Sequence, residues 1–256
     1  MQAHEKITRA LRAANDAGRT GLVPFITAGY PDPEKFIETL ASIAAVSDVV
    51  ELGVPFSDPM ADGMTIQRSS FKAIENGVTL KWIFDSLQKS HAKIDAPLVM
   101  MSYLNPLLAY GLDRLAESSL KTGVCGFIVP DLPFEESEEL RNALEAKGVG
   151  LIQLVTPATP ETRLKKLAGA SKGFLYAVTI TGITGGGNGL PAGLAEYLDK
   201  VSGLSSLPVC AGFGIREAKD VANVGKHAAG AIVGSALVEV LERGEDAAAF
   251  LQSLRK

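Results

Sequence analysis

The chain of 256 residues has few of the side chains that bind metals or form disulfides. It contains two cysteines, Cys125 and Cys210, and three histidines without ligand spacing between them. Both cysteines fall inside apolar, strand-like runs, so we expect buried structural thiols. This usage fits a cytoplasmic protein without a metal site.

Long apolar segments and an excess of one charge are also missing. No run reaches about 18 apolar residues, so a membrane span is not expected. Residues 1–12 are polar and lack the apolar core of a signal peptide. A net charge of −4, with both signs spread along the chain, argues against nucleic-acid binding. Without a linker or low-complexity tract, residues 1–256 are predicted to form a single domain.

Short apolar runs rich in Val and Ile alternate with amphipathic stretches. Such runs are typical of strands that are buried on both faces. The predicted strands cover residues 22–27, 48–52, 98–102, 126–129, 150–155, 174–179, 208–211 and 230–233. Eight strand–helix repeats in about 250 residues predict an α/β fold, a (β/α)8 TIM barrel, with an additional N-terminal helix at 4–17. A doubly wound open sheet is the alternative, but residues 28–32 lack the glycine-rich turn of a dinucleotide-binding fold.

Two carboxylates follow the second predicted strand. Glu51 stands where the apolar run ends, so we expect desolvation to raise its pKa and let it both deliver and accept a proton. Asp62 follows in a Pro/Gly-rich loop that could fold back over the same strand end. Two carboxylates in unlike environments are a recurring arrangement for acid–base chemistry. The alternatives are an ion-paired barrel residue for Glu51 and a solvated loop carboxylate for Asp62.

Glycines follow the seventh and eighth predicted strands, at Gly212, Gly214 and Gly234. They let backbone N–H groups approach an anion, and each turn opens a helix whose positive end faces the same spot. Phosphate binding after these two strands recurs in this fold, so we predict a phosphate site; ligand-free tight turns are the alternative. After the sixth strand, residues 181–189 contain five glycines. A mobile lid or a solvent loop fits them equally, with Thr184 as the central hydroxyl.

The ends of the third and fourth strands carry apolar and aromatic residues, which suit a flat aromatic substrate at the barrel mouth. These residues are Met101, Tyr103, Asn105, Pro106 and the motif Pro130-Asp131-Leu132-Pro133. Ordinary packing of the barrel top is the alternative for the apolar side chains. Asp131 could instead cap the turn that follows it.

Taken together, these motifs resemble the α subunit of tryptophan synthase. The resemblance rests first on residues 51–63, which read Glu-Leu-Gly-Val-Pro-Phe-Ser-Asp-Pro-Met-Ala-Asp-Gly. Support comes, in family order, from the motifs at 22–29, 103–106, 130–133, 181–185, 212–214 and 234–236. The resemblance implies retro-aldol cleavage of indole-3-glycerol phosphate to indole and glyceraldehyde 3-phosphate, with no cofactor in this chain.

The resemblance also implies roles for individual residues. Glu51 would protonate indole C3 and take the proton of the adjacent side-chain hydroxyl, while Asp62 would hydrogen-bond the indole N–H. The residues that match substrate-binding positions are Phe25, Met101, Tyr103, Leu154, Tyr176, Thr184 and Phe213. Those that match the phosphate cradle are Gly185, Gly214, Gly234 and Ser235.

The implied partner is a β subunit that carries pyridoxal phosphate, in an α2β2 tetramer. The residues that match its contacts are Pro55, Asp58, Asn105, Pro106 and Asp131. Two departures from the family pattern stand out. Met64 replaces a usual proline, which predicts a less rigid Asp62 loop, and Arg216 stands where a Ser or Thr cap is common.

Two other functions stay open at this point. A free-standing lyase would release indole without a β subunit, and the activity of the isolated chain separates it from a coupled subunit. A non-catalytic regulatory subunit would only activate its partner. Intact Glu51, Asp62 and Thr184 argue against that second alternative.

Overall fold

The computed structural model describes residues 1–90, 94–179, 193–212 and 214–256. Eight parallel strands form a closed barrel in chain order, with the last strand paired to the first. The strands are β1 (Gly21–Thr27), β2 (Val50–Gly53), β3 (Leu98–Met101), β4 (Val124–Ile128), β5 (Gly150–Val155), β6 (Leu175–Val178), β7 (Val209–Gly212) and β8 (Gly230–Val233). Most of their residues are buried, as expected for strands covered on both faces.

Helices surround the barrel, so the predicted (β/α)8 TIM barrel with its N-terminal helix is confirmed. They are α1 (Ala3–Asp16), α2 (Phe36–Ala44), α3 (Met64–Glu75), α4 (Leu80–Ser90), α5 (Leu104–Tyr110), α6 (Leu112–Thr122), α7 (Glu138–Glu145), α8 (Glu161–Ala170), α9 (Leu194–Leu204), α10 (Ala218–Gly225), α11 (Ser235–Glu242) and α12 (Ala247–Ser253). In the described parts of the chain, no helix is long and apolar enough to cross a membrane. Both cysteines are free and buried, as predicted.

Helix α1 closes the amino-terminal end of the barrel. Ile7 and Leu11 are fully buried in the cluster of side chains that fills the barrel interior. A Cβ atom added at Gly21 would lie 2.7 Å from Cδ2 of Leu11, and one at Gly173 would lie 3.0 Å from Cδ1 of Ile7. Glycine at these positions therefore makes room for the helix. With this end plugged, the carboxyl ends of the strands are left for a site, as is general in this fold.

The segment after β3 is the main difference from the sequence-based expectation. Residues 104–110 form α5, a helix that the sequence pattern did not predict. The helix has only seven residues, carries Pro106 in its first turn and is followed by Gly111. Its length is too short to show a helical period, so turn residues dominate the sequence signal.

Candidate active site

Glu51 lies inside the barrel as the second residue of β2, in register with Phe25 of β1 and Val99 of β3. Its side chain is buried, and its Oε2 atom has no hydrogen-bond partner among the described residues. Burial, with a smaller contribution from the charge of Asp62, raises the pKa of Glu51 to about 8. Since no ion pair with Glu51 forms within the described ranges, the ion-paired alternative has no support. At neutral pH this carboxyl group holds a proton that it can donate.

The loop between β2 and α3 brings Asp62 to the same cavity as Glu51. The N–H of Ala61 donates to the hydroxyl of Tyr103 at 2.8 Å, and Nε2 of Gln67 donates to the carbonyl oxygen of Asp62 at 2.8 Å. Burial raises the pKa of Asp62, while a hydrogen bond from Tyr103 lowers it. Asp62 is half-buried where Glu51 is fully buried. The two carboxylates therefore occupy the unlike environments that acid–base chemistry uses.

Met64, where the family usually has proline, contributes little to holding this loop. Its side chain is 76 % exposed at the first position of α3. Helix α3 is fixed deeper in the protein by a buried hydrogen bond of 2.6 Å between the hydroxyls of Ser69 and Thr27. The loop is thus held by polar side chains on both sides of Asp62 instead of by a proline at its end.

Apolar and aromatic side chains form the wall beside the carboxylates. Phe25, Met101 and Tyr176, to which the family resemblance assigns substrate binding, line the cavity. A Cβ atom added at Gly53 would lie 2.4 Å from Cζ of Phe25, so this glycine leaves room for the ring. Burial first, and the charge of Glu51 second, raise the pKa of Tyr176 well above its usual value, so the ring stays neutral.

Two other residues expected to bind substrate, Leu154 and Tyr103, are not among those that line this cavity. Leu154 is in register with Tyr176, packs with Tyr176 and Met101 against the cluster that fills the barrel interior, and also borders the neighbouring cavity at the ends of β4 and β5. Tyr103 is buried, stacks on Phe56 with ring centroids 5.1 Å apart, and holds the Asp62 loop through its hydroxyl. The other expected residues, Thr184, Gly185 and Phe213, lie outside the described residues.

The opposite side of the cavity offers backbone donors. Gly214, Gly234 and Ser235 all line it. Helix α11 begins at Ser235 and has no side-chain cap. Its first backbone bond runs from Leu237 N–H to the carbonyl of Gly234, so within the described chain the N–H groups of Ser235 and Ala236 have no acceptor. Unpaired N–H groups at a helix N-terminus bind anions.

The β7 side of the cradle differs from the expectation that both helices point a free positive end at the phosphate. The carboxylate of Asp220 accepts the N–H groups of Arg216 at 2.9 Å and Glu217 at 3.0 Å. The N-terminus of α10 is therefore capped by its own acidic side chain. What this side gives the cavity is Gly214 and the side chain of Arg216, which pairs with Glu239 of α11.

Comparison with known proteins agrees with this geometry. The family model described as tryptophan synthase alpha chain matches residues 11–255. The tryptophan synthase alpha chain of Nitratidesulfovibrio vulgaris (strain DP4) is 43 % identical over 249 residues, which covers 97 % of each chain. That of Roseiflexus sp. (strain RS-1) is 44 % identical over 247 residues, which covers 93 % of this chain and 95 % of the relative. The chain belongs to the tryptophan synthase alpha chain family.

Solved structures of the same family share the fold over the whole chain. The crystal structure of the tryptophan synthase alpha chain of Legionella pneumophila subsp. pneumophila has a TM-score of 0.87 and 31 % identity, covering 100 % of this chain and 96 % of that one. A chain of the tryptophan synthase complex of Pyrococcus furiosus has a TM-score of 0.82 and 31 % identity, covering 92 % and 98 %. The family is one of lyases that cleave indole-3-glycerol phosphate.

The residues that match partner contacts in this family lie around the same open end of the barrel, with unequal exposure. Asp58 and Asn105 are exposed, Pro106 is half-buried and Pro55 is buried. Asp131 accepts the N–H of Leu104 at 3.0 and 3.2 Å, so it caps α5 and not the turn that follows it. Asp58 and the first turn of α5 are therefore the accessible part of this set.

Several cavity residues were not singled out in the sequence. The described ones are Ile66, Ile215 and Ile232. Ile232 could have been found from the alternation of inward-facing residues along β8. Ile66 lies on the cavity side of an amphipathic helix, where the pattern marks it only as a core residue.

Proposed function

We propose that this chain cleaves indole-3-glycerol phosphate to indole and glyceraldehyde 3-phosphate, with Glu51 and Asp62 as its catalytic residues. The observation that carries the proposal is the buried carboxyl group of Glu51, one oxygen of which has no partner in the described part of the chain. It shares a cavity with Asp62 and the N-terminus of α11. The substrate has an aromatic ring at one end and a phosphate at the other. It fits a cavity that has apolar and aromatic side chains on one side and backbone N–H donors on the other.

Glu51 starts the reaction by protonating C3 of the indole ring. Its pKa of about 8 keeps the group protonated at neutral pH. Protonation at C3 puts a positive charge on the ring nitrogen, where an ionised Asp62 stabilises it most effectively. The hydrogen bond from Tyr103 favours the ionised form of Asp62. The step requires Glu51 to begin protonated and Asp62 to begin ionised.

The same Glu51 completes the cleavage as a base. Its carboxylate takes the proton of the hydroxyl on the carbon attached to C3, and that oxygen becomes the aldehyde oxygen of glyceraldehyde 3-phosphate. The electron pair of the broken carbon–carbon bond returns to the ring, which neutralises the ring nitrogen and gives indole. One proton enters at C3 and one leaves the hydroxyl, so Glu51 ends as it began. These steps need no cofactor from this chain.

The phosphate and the ring are held at opposite sides of the cavity. The N–H groups of Ser235 and Ala236, with the Ser235 hydroxyl and the backbone at Gly214 and Gly234, would bind the phosphate. Gly185 is proposed for the same role from the family resemblance. The indole ring would lie against Phe25, Met101 and Tyr176, with Thr184 and Phe213 as proposed contacts outside the described residues.

The partner is a β subunit of tryptophan synthase. Family membership and the fold shared with a chain of the Pyrococcus furiosus tryptophan synthase complex support this. We infer further that the β subunit carries pyridoxal phosphate and that two copies of each chain form an α2β2 tetramer. The exposed Asp58 and Asn105 would contact it, while Pro55 and Asp131 keep the contacting loops in shape.

The test is an assay of indole release from indole-3-glycerol phosphate, with and without a β subunit. We expect slow release by the isolated chain and faster release in the complex. Fast release that a β subunit leaves unchanged would indicate a free-standing lyase. No indole under either condition, together with an accelerated β subunit, would indicate a regulatory subunit and contradict the proposal.

A further inference from the structure

We propose that Arg216 binds the phosphate group of the substrate and supplies the positive charge that this end of the cavity needs. The inference rests on the proposed function, because it assigns a residue to the phosphate end of the same substrate. It concerns a residue at the rim of the cavity, whose side chain is 57 % exposed and free to meet a ligand.

The charge balance of the cavity is the first argument. Arg216 is the one cationic side chain among the described residues that line the cavity, which also holds Glu51 and Asp62. Residues 180–192 and 213, which lie outside the described part of the chain, contain no Lys or Arg. A phosphate monoester carries about −1.5 to −2 charges at pH 7. A dianion that enters a cavity with two carboxyl groups gains most from a cation near its phosphate end.

The position of the guanidinium is the second argument. Both of its terminal nitrogens donate to the carboxylate of Glu239, at 2.8 and 3.0 Å. Glu239 comes four residues after Ser235 on α11, so the two side chains share one face about 6 Å apart along the helix axis. The Arg216 backbone is fixed by Asp220. The charge is thus held about one helical turn from the N–H groups that would bind the phosphate.

The remaining hydrogen-bond donors are the third argument. A guanidinium has five N–H donors, and the pair with Glu239 uses two of them. The other three, including Nε–H, make no hydrogen bond within the described chain. Arg216 can therefore donate to phosphate oxygens while Glu239 keeps it in place, and such charge-assisted bonds are the stronger kind. Because Asp220 caps α10, this side chain replaces the helix end that the β7 turn would otherwise offer.

A neighbouring ion pair provides a matched control. Arg68 on α3 binds Glu242 of α11 through two hydrogen bonds of 2.8 and 2.7 Å, and its side chain is 53 % exposed. It does not line the cavity. Arg68→Gln therefore removes the same charge and the same kind of ion pair with a glutamate of α11. It does not remove a residue that lines the cavity.

The experiment compares Arg216→Gln, Arg216→Lys and Arg68→Gln with the wild-type chain. The readouts are kcat and KM for indole-3-glycerol phosphate, and the Kd of glycerol 3-phosphate from calorimetry. We expect Arg216→Gln to raise KM and Kd by about tenfold, as for the loss of a hydrogen bond to a charged group, with kcat within about twofold. Lysine keeps the charge and should restore part of the affinity. Added salt should weaken binding less in Arg216→Gln than in the wild type.

Two results would overturn the assignment. One is a KM and Kd for Arg216→Gln within about twofold of the wild type, and the other is an equal loss of affinity in Arg68→Gln. The proposed function fails separately, if the wild-type chain releases no indole with or without a β subunit. The Kd of glycerol 3-phosphate still tests Arg216 in that case, since it needs no turnover.

Discussion

The two sides of the cavity, at the same end of the barrel, differ in their electrostatics. On the β1–β3 side, Glu51 is buried without a cation, so it takes up a proton and its pKa rises to about 8. On the β7–β8 side, no carboxylate lines the cavity among the described residues, and this side carries Arg216 and the N–H groups at the start of α11. One pocket can therefore keep a carboxyl group neutral and also bind a dianion, because its donors are confined to one side.

The two sides are also held in place differently. The Asp62 loop depends on side chains, with Tyr103 bound to Ala61 and Gln67 bound to the carbonyl of Asp62. The cradle depends on the backbone at the start of α11, which no single side chain caps. We therefore expect substitutions on the first side to change kcat and those on the second side to change substrate affinity.

The largest effect is expected for Glu51→Gln, which removes the proton donor and keeps the shape of the side chain. General acid–base catalysis contributes about 10²- to 10⁴-fold, so kcat should fall by that factor. The Kd of glycerol 3-phosphate should stay within about twofold of the wild type, because the cradle is untouched. Indole release and calorimetry measure the two quantities. More than about a tenth of the wild-type turnover would remove Glu51 from the mechanism.

Asp62→Asn tests the second carboxylate. Loss of a preorganised charge that stabilises a transition state costs roughly 10²-fold or more in kcat, and KM should change little. Asp58→Asn is a matched control in the same loop, since Asp58 is exposed and lies outside the cavity. The isolated Asp58→Asn chain should keep its activity. Equal activities for the two variants would show that Asp62 has no special role.

The burial of Glu51 without a counter-charge should also make the stability of the protein depend on pH. Its pKa is about 8 in the folded chain and 4.5 as the reference value, so the folded chain binds more protons between these limits. The free energy of unfolding of the wild type should fall as pH rises from 4.5 to about 8. Glu51→Gln lacks this loss and should gain a few kcal/mol over the wild type by pH 9, as urea unfolding would show. Parallel pH profiles would contradict the burial of an uncompensated carboxyl group.

The smallest effect is expected for Tyr103→Phe, which removes the hydroxyl that supports the Asp62 loop. That hydroxyl lowers the pKa of Asp62, so its loss should raise this pKa. Because Asp62 acts ionised, the acid side of the kcat profile should move to higher pH, with a decrease of about threefold near neutrality. Tyr110→Phe is the control, since its hydroxyl bonds Ser118 outside the cavity. An unshifted profile would show that Tyr103 does not tune Asp62.

Much of this arrangement could be predicted from the sequence, because it depends on short-range patterns. Apolar runs and their order fix the barrel, and the order places Glu51, Gly214 and Gly234 at one rim. The pair of Arg216 and Glu239 joins residues that are 23 positions apart, and no local pattern predicts it. The role of Leu154 followed from family resemblance alone, and it stays a prediction, with the side chain packed beside Tyr176 and Met101 in the barrel interior.

The acidic capping of α10 shows a different limit of sequence patterns. A glycine turn before a helix predicts an open N-terminus, yet Asp220 turns back to accept the N–H groups of Arg216 and Glu217. A side chain at the third position of a helix often accepts backbone N–H groups in this way, in a capping box. Its presence decides whether these N–H groups are left for an anion. The β8 turn, followed by Ser235 without such an acid, keeps its donors free.

The most direct test of the account is the titration of Glu51 itself. Carbon-13 NMR of the side-chain carboxyl groups, with Glu51→Gln to assign the resonance, measures the pKa in the free protein. We predict a midpoint near 8, and a lower one in Asp62→Asn because the charge of Asp62 raises it. A midpoint near the ordinary value of 4.5 would contradict the claim that a protonated, buried Glu51 starts the reaction.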